Sequence, residues 1–237
     1  MINKTVITTK GREHLIESAD EQIVNWFNDP EVTQVEAILE QINIERLYDP
    51  VLSKKTGLTI LDIGANIGLF SLYAQDSADK IICLEPAPLT FQVLQKLTTN
   101  INKITCAPYA LSDSDGEIHF YIHDNPTINS IDVDYAGTKT TVQARTIQTV
   151  LNENNLTWVD FVKCDIEGSE SRAITESTLE PVKDRIGAWF LEVHQTNNKE
   201  VGWPGNLEQN RQRLISIFKN AGYNAEPIIH DQIFAWK

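Results

Sequence analysis

Cysteine is scarce in this chain and basic residues are outnumbered. Three cysteines stand among 237 residues, at positions 83, 106 and 164. They are odd in number, lack short spacing, and each sits inside an apolar run that reads as a strand. A disulfide framework or a cysteine-bound zinc is thereby excluded, leaving small buried residues of a reduced compartment. Lys and Arg total 20 against 33 Asp and Glu, a formal net charge of -13. Such a field repels phosphate polymers and anionic membrane surfaces, so neither nucleic acid nor a membrane is expected as a partner. Long apolar runs are missing as well. "MINKTVITTKGREHLIESAD" holds no secretory core, and the best candidate span, "GLTILDIGANIGLFSLYA", carries Asp62 at its centre. An aspartate at mid-bilayer costs about 2.5–3.5 kcal/mol, so a cytoplasmic protein is expected.

What is present suffices for one full core, since 41% of the residues are hydrophobic. From Asp20 to Tyr48 apolar residues recur at helical intervals broken by "NDPE", which predicts two helices. "DPVLSKKTG" follows as a connector, so residues 1–57 read as an N-terminal helical extension, a lid or a dimer surface, and 58–237 as the main domain. From Leu58 the pattern changes. "LTILDI", "KIICLE", "ITCAPYA", "WVDFVKCD" and "GAWFLEVH" read as strands separated by amphipathic stretches such as Leu89 to Thr99. That alternation predicts an α/β fold, a mostly parallel sheet with helices on both faces. "GEIHFYIH" and "TKTTVQARTI" predict an inserted hairpin around a polar loop that contains Asn129 and Ser130. "GYNAEPIIHDQIFAWK" predicts an antiparallel C-terminal edge.

In such a sheet ligands bind beyond the carboxyl end of the first strand. "ILDIGANIG" is a strand end passing directly into a helix. Gly64 suits a tight turn, Gly68 suits close approach of the helix, and the helix N-terminus offers unpaired N–H groups. Glu85, at the end of the next strand, stands where a carboxylate accepts both ribose hydroxyls. A dinucleotide site wants G-x-G-x-x-G, yet here an acid precedes the first glycine and Asn66 takes the place of the second. Carboxylates repel a pyrophosphate but suit an ammonium beside a sulfonium, which points to S-adenosylmethionine.

"LDIGANIGLFSL", "CLEPAPLTFQVLQ", "YALSDSDGE", "VKCDIEGSE" and "LEVH" occur in the order and spacing of the FkbM-type methyltransferases, which this sequence resembles from about Leu58 to His194. The resemblance implies a Rossmann-like sheet, S-adenosylmethionine, and methyl transfer to a hydroxyl of a small molecule, a sugar or other secondary metabolite. It further implies that Asp62, Gly64, Asn66 and Gly68 surround the methionine end, that Glu85 holds the ribose, and that Tyr109, Ala110 and Asp113 meet the adenine. Residues 112–116 also read as a plain turn. Asp165, at the end of the fourth parallel strand, points toward the cleft shared by cofactor and acceptor; an acid there is costly unless wet, paired or bound.

Glu192 and His194 share one side of the fifth strand and meet the same end. With Asp165 they form the candidate catalytic set, His194 as a general base working near neutral pH. The same three residues are a candidate site for Mg²⁺, which would lower the acceptor's pKa. Glu167 and Glu170 read as favourable charge in the first turn of a helix, and Trp203 as a stacking platform or a loop anchor. A non-catalytic adenosine-cofactor module and an NAD-dependent oxidoreductase are the competing readings; no Tyr-x-x-x-Lys dyad supports the latter. The acceptor, the metal dependence and the oligomeric state are not legible here.

Overall fold

A computed structural model describes residues 3–9, 12–18, 48–52, 55–123, 129–131, 137–195, 206–229 and 231–237. The helices expected between Asp20 and Tyr48, Trp203 and His230 lie outside the described residues. Ahead of them, β1 (Asn3–Thr9) and β2 (Arg12–Ser18) pair as an antiparallel hairpin that the apolar pattern did not reveal.

A seven-stranded sheet organises the rest. Its order is β11-β12-β10-β9-β3-β4-β5, with β3 (Leu58–Ile63), β4 (Ala78–Leu84), β5 (Ile104–Ala107), β9 (Phe161–Cys164) and β10 (Ala188–Glu192) parallel. At the far side β12 (Gln232–Trp236) runs antiparallel to β10, and β11 (Asn224–Pro227) antiparallel to β12, which is the expected edge. The parallel strands are buried on both faces, so their apolar residues alternate between two cores. Leu61, Ile63, Ile82 and Leu84 face one, Ile60, Ile81 and Cys83 the other.

Helices cover both faces. On one side of the sequence, α1 (Asp49–Leu52) follows Tyr48, whose ring packs 4.6 Å from Phe70 and 4.8 Å from Phe190. A short turn after β3 leads into α2 (Leu69–Ala74), and α3 (Pro88–Thr98) begins on a proline, whose fixed φ suits a first helical turn. The N-terminal hairpin lies against α2 and α3. Further on, α4 (Ile147–Glu153) is capped by the Thr146 hydroxyl, and α7 (Leu207–Asn220) by a reciprocal Asn206–Gln209 box; α5 (Glu170–Ala173) and α6 (Glu176–Leu179) are single turns.

Two strands differ from expectation. "ITCAPYA" is not one strand: it breaks at Pro108, which has no N–H to continue the ladder, and β6 (Tyr109–Leu111) joins a separate sheet of order β6-β8-β7. There β7 (Gly116–Ile122) and β8 (Thr138–Arg145) form the expected antiparallel hairpin. "WVDFVKCD" contributes only Phe161–Cys164 as strand. Chain order reverses between β3 and β9, so the switch point, where doubly wound sheets open a crevice, lies over those two strand tips.

Candidate functional site

Backbone geometry builds the β3 tip. Gly64 has φ 69°, and a Cβ there would stand 1.7 Å from the carbonyl oxygen of Asp165 at the tip of β9, so only glycine lets the two strand ends meet. Gly64 and Ala65 both donate N–H bonds to the Leu84 carbonyl, at 3.0 and 2.9 Å. Asn66 follows in left-handed backbone with φ 51°, and its N–H donates to Glu85 Oε2 at 3.0 Å. Glu85 Oε1 accepts from the Ala87 N–H at 2.8 Å. Burial pushes the Glu85 carboxyl up to about 7, against the pull of those two amides. The β3 and β4 loops are thus tied through one carboxylate.

These groups border a cavity of about 530 Å³, mouth included. Gly64, Asn66 and Glu85 line it from the large sheet; Tyr109, Ala110, Phe120 and Ile131 line it from the small one; Asp165, Glu167 and Ser169 complete it. Ser169 is fully buried and its hydroxyl makes no hydrogen bond among the described residues. Asn129 also lines the cavity, and the neighbouring Ser130 hydroxyl donates to the Glu167 carbonyl at 2.7 Å, so this part of the insert lies against the second strand tip.

Around the β9 and β10 tips the charges crowd one another. Glu167, with φ 55°, sits in a turn rather than in the predicted helix, which starts only at Glu170. Glu170 is buried; its oxygens accept from the Ile166 and Gly168 amides and face His194 Nδ1 at 3.1 Å. The other ring nitrogen faces Glu167 at 3.5 Å, Glu192 at 3.8 Å and Asp165 at 3.9 Å. Burial disfavours charge on His194, but Glu170, Glu167 and Asp165 outweigh it and raise the imidazole to about 11. Burial and Asp165 raise Glu167 to about 9 and Glu192 to about 8, with His194 opposing. A neutral imidazole ready to take a proton, as the sequence suggested, is therefore not what this cluster favours.

Of the other predicted positions, Gly64, Asn66, Glu85, Tyr109, Ala110 and Asp165 come together at the cavity. Asp62 does not line it. Its side chain points with Ile60 into the core beneath α2, where Oδ2 accepts from the Ser71 hydroxyl at 2.6 Å and Lys163 lies 3.9 Å from Oδ1. Gly68 opens α2 and faces Leu94 of α3, where a Cβ would stand 2.6 Å away, so its role is helix packing. Asp113 is exposed, and its Oδ1 accepts from the Ser112 and Ser114 hydroxyls, the plain-turn reading. Lys163 was missed altogether.

The expected metal set is also regrouped. Ligand atoms of Asp165, Glu170 and His194 lie within 4.8 Å of one another, with Glu170 in place of Glu192. Because Glu170 already serves two backbone amides and the imidazole, an ion would compete with the turn's own donors. The geometry fits a carboxylate–imidazole hydrogen bond better than an oxygen-rich Mg²⁺ site.

Comparison with known proteins agrees with this architecture. The family model described as "Methyltransferase FkbM domain" matches residues 62–225. The chain belongs to the FkbM methyltransferase family. A curated relative of this chain, methyltransferase sdnD of Sordaria araneosa, is 27% identical over 177 residues, 59% of this chain and 68% of that protein. Among solved structures, an S-adenosylmethionine-dependent methyltransferase from Agrobacterium tumefaciens gives a TM-score of 0.50 at 10% identity, covering 99% of this chain and 70% of that one. Precorrin-6y C5,15-methyltransferase from Geobacter metallireducens gives 0.49 at 15% identity, covering 82% and 87%. At these identities the structural likeness concerns the fold, and the FkbM membership rests on the sequence match. No helix among the described residues is long and apolar enough to cross a membrane.

Proposed function

We propose that this FkbM protein is an S-adenosylmethionine-dependent O-methyltransferase acting on a hydroxyl of a small molecule, a sugar or glycoside. The observation that supports it best is Asp165. Its carboxylate borders the cavity, Oδ1 is buried without a hydrogen-bond partner among the described residues, and Oδ2 stands 3.4 Å from Lys163. An orphaned carboxylate oxygen at the switch point is a group waiting for a donor.

When bound, S-adenosylmethionine supplies an electrophilic methyl group on a sulfonium. Glu85 would accept the ribose hydroxyls with the lone pairs left over from Asn66 and Ala87. The Tyr109–Ala110 backbone and the unpartnered Ser169 hydroxyl would border the adenine, and Gly64 with Asp165 the methionine end. Asp165 Oδ1 accepts the acceptor's O–H and aims its oxygen lone pair at the methyl carbon. Asp165 would take up the hydroxyl proton as the acceptor oxygen receives the methyl group. Once the new bond is made that proton is strongly acidic, so a carboxylate suffices as base. His194, as an imidazolium, orients Asp165 and Glu192 and holds their charges together. Rate comes chiefly from alignment.

Titration calorimetry with S-adenosylhomocysteine and with NADH, followed by transfer of labelled methyl to a panel of glycosides, tests this reading. Binding of the first, none of the second, and alkali-stable label on a sugar oxygen are expected. NADH binding without S-adenosylhomocysteine binding would favour an oxidoreductase, and cofactor binding without turnover across the panel a non-catalytic module. Dialysis against a chelator should change turnover by less than about twofold; a loss restored by Mg²⁺ would place an ion among Asp165, Glu170 and His194.

A further inference from the structure

A lysine in the middle of a parallel strand buried on both faces demands an explanation. "FVKC" is β9, and Lys163 is 7% exposed. A buried ammonium is costly unless paired and hydrogen-bonded. Lys163 Nζ donates to the Gly64 carbonyl at 2.8 Å, lies 3.4 Å from Asp165 Oδ2 and 3.9 Å from Asp62 Oδ1. Those partners belong to both tips of the switch point. Gly64 and Asp165 border the cavity, whereas Asp62 lies below it and has no other cation beside it among the described residues.

We propose that Lys163 is the positioning residue of this site: its ammonium pins the Gly64 carbonyl and the Asp165 carboxylate across the β3–β9 seam, fixing where the sulfonium end of the cofactor and the acceptor oxygen meet. The proposal rests on the methyltransferase reading above. Three features favour it over simple charge balance for Asp62. The shortest contact is to a backbone carbonyl of the cavity, not to Asp62. Asp165 is nearer to the ammonium than Asp62 is. The Gly64–Asp165 backbone contact leaves no room for a side chain, and beyond the last ladder bond, Asp165 N–H to the Ile63 carbonyl, Lys163 adds a side-chain link between the Gly64 carbonyl and the Asp165 carboxylate. Burial alone would lower the lysine's proton affinity, but Asp165 and Asp62 overcome it and hold it above the ordinary lysine value.

Lys163→Met, which keeps length and removes the charge, strands Asp62 and is at risk of not folding. The informative variant is therefore Lys163→Met combined with Asp62→Asn, which keeps a partner for Ser71 and removes the uncompensated acid. Charge balance alone predicts that the double variant recovers both stability and turnover. The positioning role predicts recovered stability with kcat still down about 100-fold, as expected for misplacement of about an ångström, and KM for S-adenosylmethionine up about tenfold. Wild-type kcat and KM in a folded double variant would overturn the assignment.

Should that variant fail to fold, the wild-type chain with ¹⁵N-labelled lysine provides the same decision. A protected Nζ resonance that moves on saturation with S-adenosylhomocysteine supports the pin, and one that does not move rejects it. Absence of S-adenosylhomocysteine binding by the wild-type protein would instead count against the methyltransferase reading itself.

Discussion

The two strand tips that meet under the cavity are built on opposite plans. In the loop after β3 the backbone groups close on one another: Glu85 divides its oxygens between two backbone amides, and the Gly64 and Ala65 N–H groups share one carbonyl. At the β9 and β10 tips four carboxylates surround one imidazole, and Asp165 keeps an oxygen with no hydrogen-bond partner among the described residues. The first is a satisfied frame whose residues are dictated by backbone geometry. The second is held short of satisfaction, so that an arriving cation or hydroxyl gains more than water would offer it. A site of this kind separates shape from reactivity, and the two can be perturbed separately.

The largest break in the comparison comes from the frame. Gly64→Ala sets a methyl against the Asp165 carbonyl in left-handed backbone; a loss of at least about 3 kcal/mol is expected, read from urea unfolding, with the chain failing to accumulate at the upper end. Wild-type stability in that variant would show that the tips are not in contact. Next comes the second tip. Asp165→Asn keeps the volume and removes the proposed base, so turnover should fall about 10²- to 10⁴-fold in protein that still folds, with Asp62 left as the acidic partner of Lys163.

A smaller, sign-specific effect sharpens the electrostatic half. Glu192 is raised to about 8 and His194 to about 11 in the folded chain. Each binds its proton more tightly folded than unfolded, so each contributes stability that is whole below its ordinary value and is lost as pH rises through the folded one. Wild-type stability should thus decline from about pH 5 through pH 8 on account of Glu192, and onward toward pH 11 on account of His194. Glu192→Gln removes the first part and should gain about 1–2 kcal/mol at pH 9 relative to its difference at pH 4, measured by chemical unfolding at both. Equal differences at both pH values would show that Glu192 is solvated. Smallest of all, Asp113→Ala should alter S-adenosylhomocysteine affinity by less than about twofold, since its carboxylate faces solvent in a turn.

The frame was largely legible in the sequence, and the reactive side was not. "ILDIGANIG" and "CLEP" place Gly64, Asn66 and Glu85 because tight turns and strand ends leave local signatures. Asp62 was misplaced although the information was there: with a period of two it shares a face with Ile60, hence with the core under α2, and not with the cavity. Lys163 went unread because a single charge inside an apolar run looks like an interruption until its partners, at Asp62 and Gly64, are brought beside it by strand pairing. The charge state of His194 depends on Glu170, Glu167 and Asp165, all more than twenty positions earlier, and no local pattern reports a sum of fields. Fold class, by contrast, follows from periodicity, and the parallel sheet with its reversed edge was foreseen; Pro108 and the N-terminal hairpin were the exceptions.

That proline has an outcome of its own. By ending one ladder and starting another within a residue, it hands the cavity wall at Tyr109 and Ala110 to a second hydrogen-bonded sheet. Cavity-facing residues of β6 and β7 can therefore vary without touching the ladder that pairs the β3 and β9 tips.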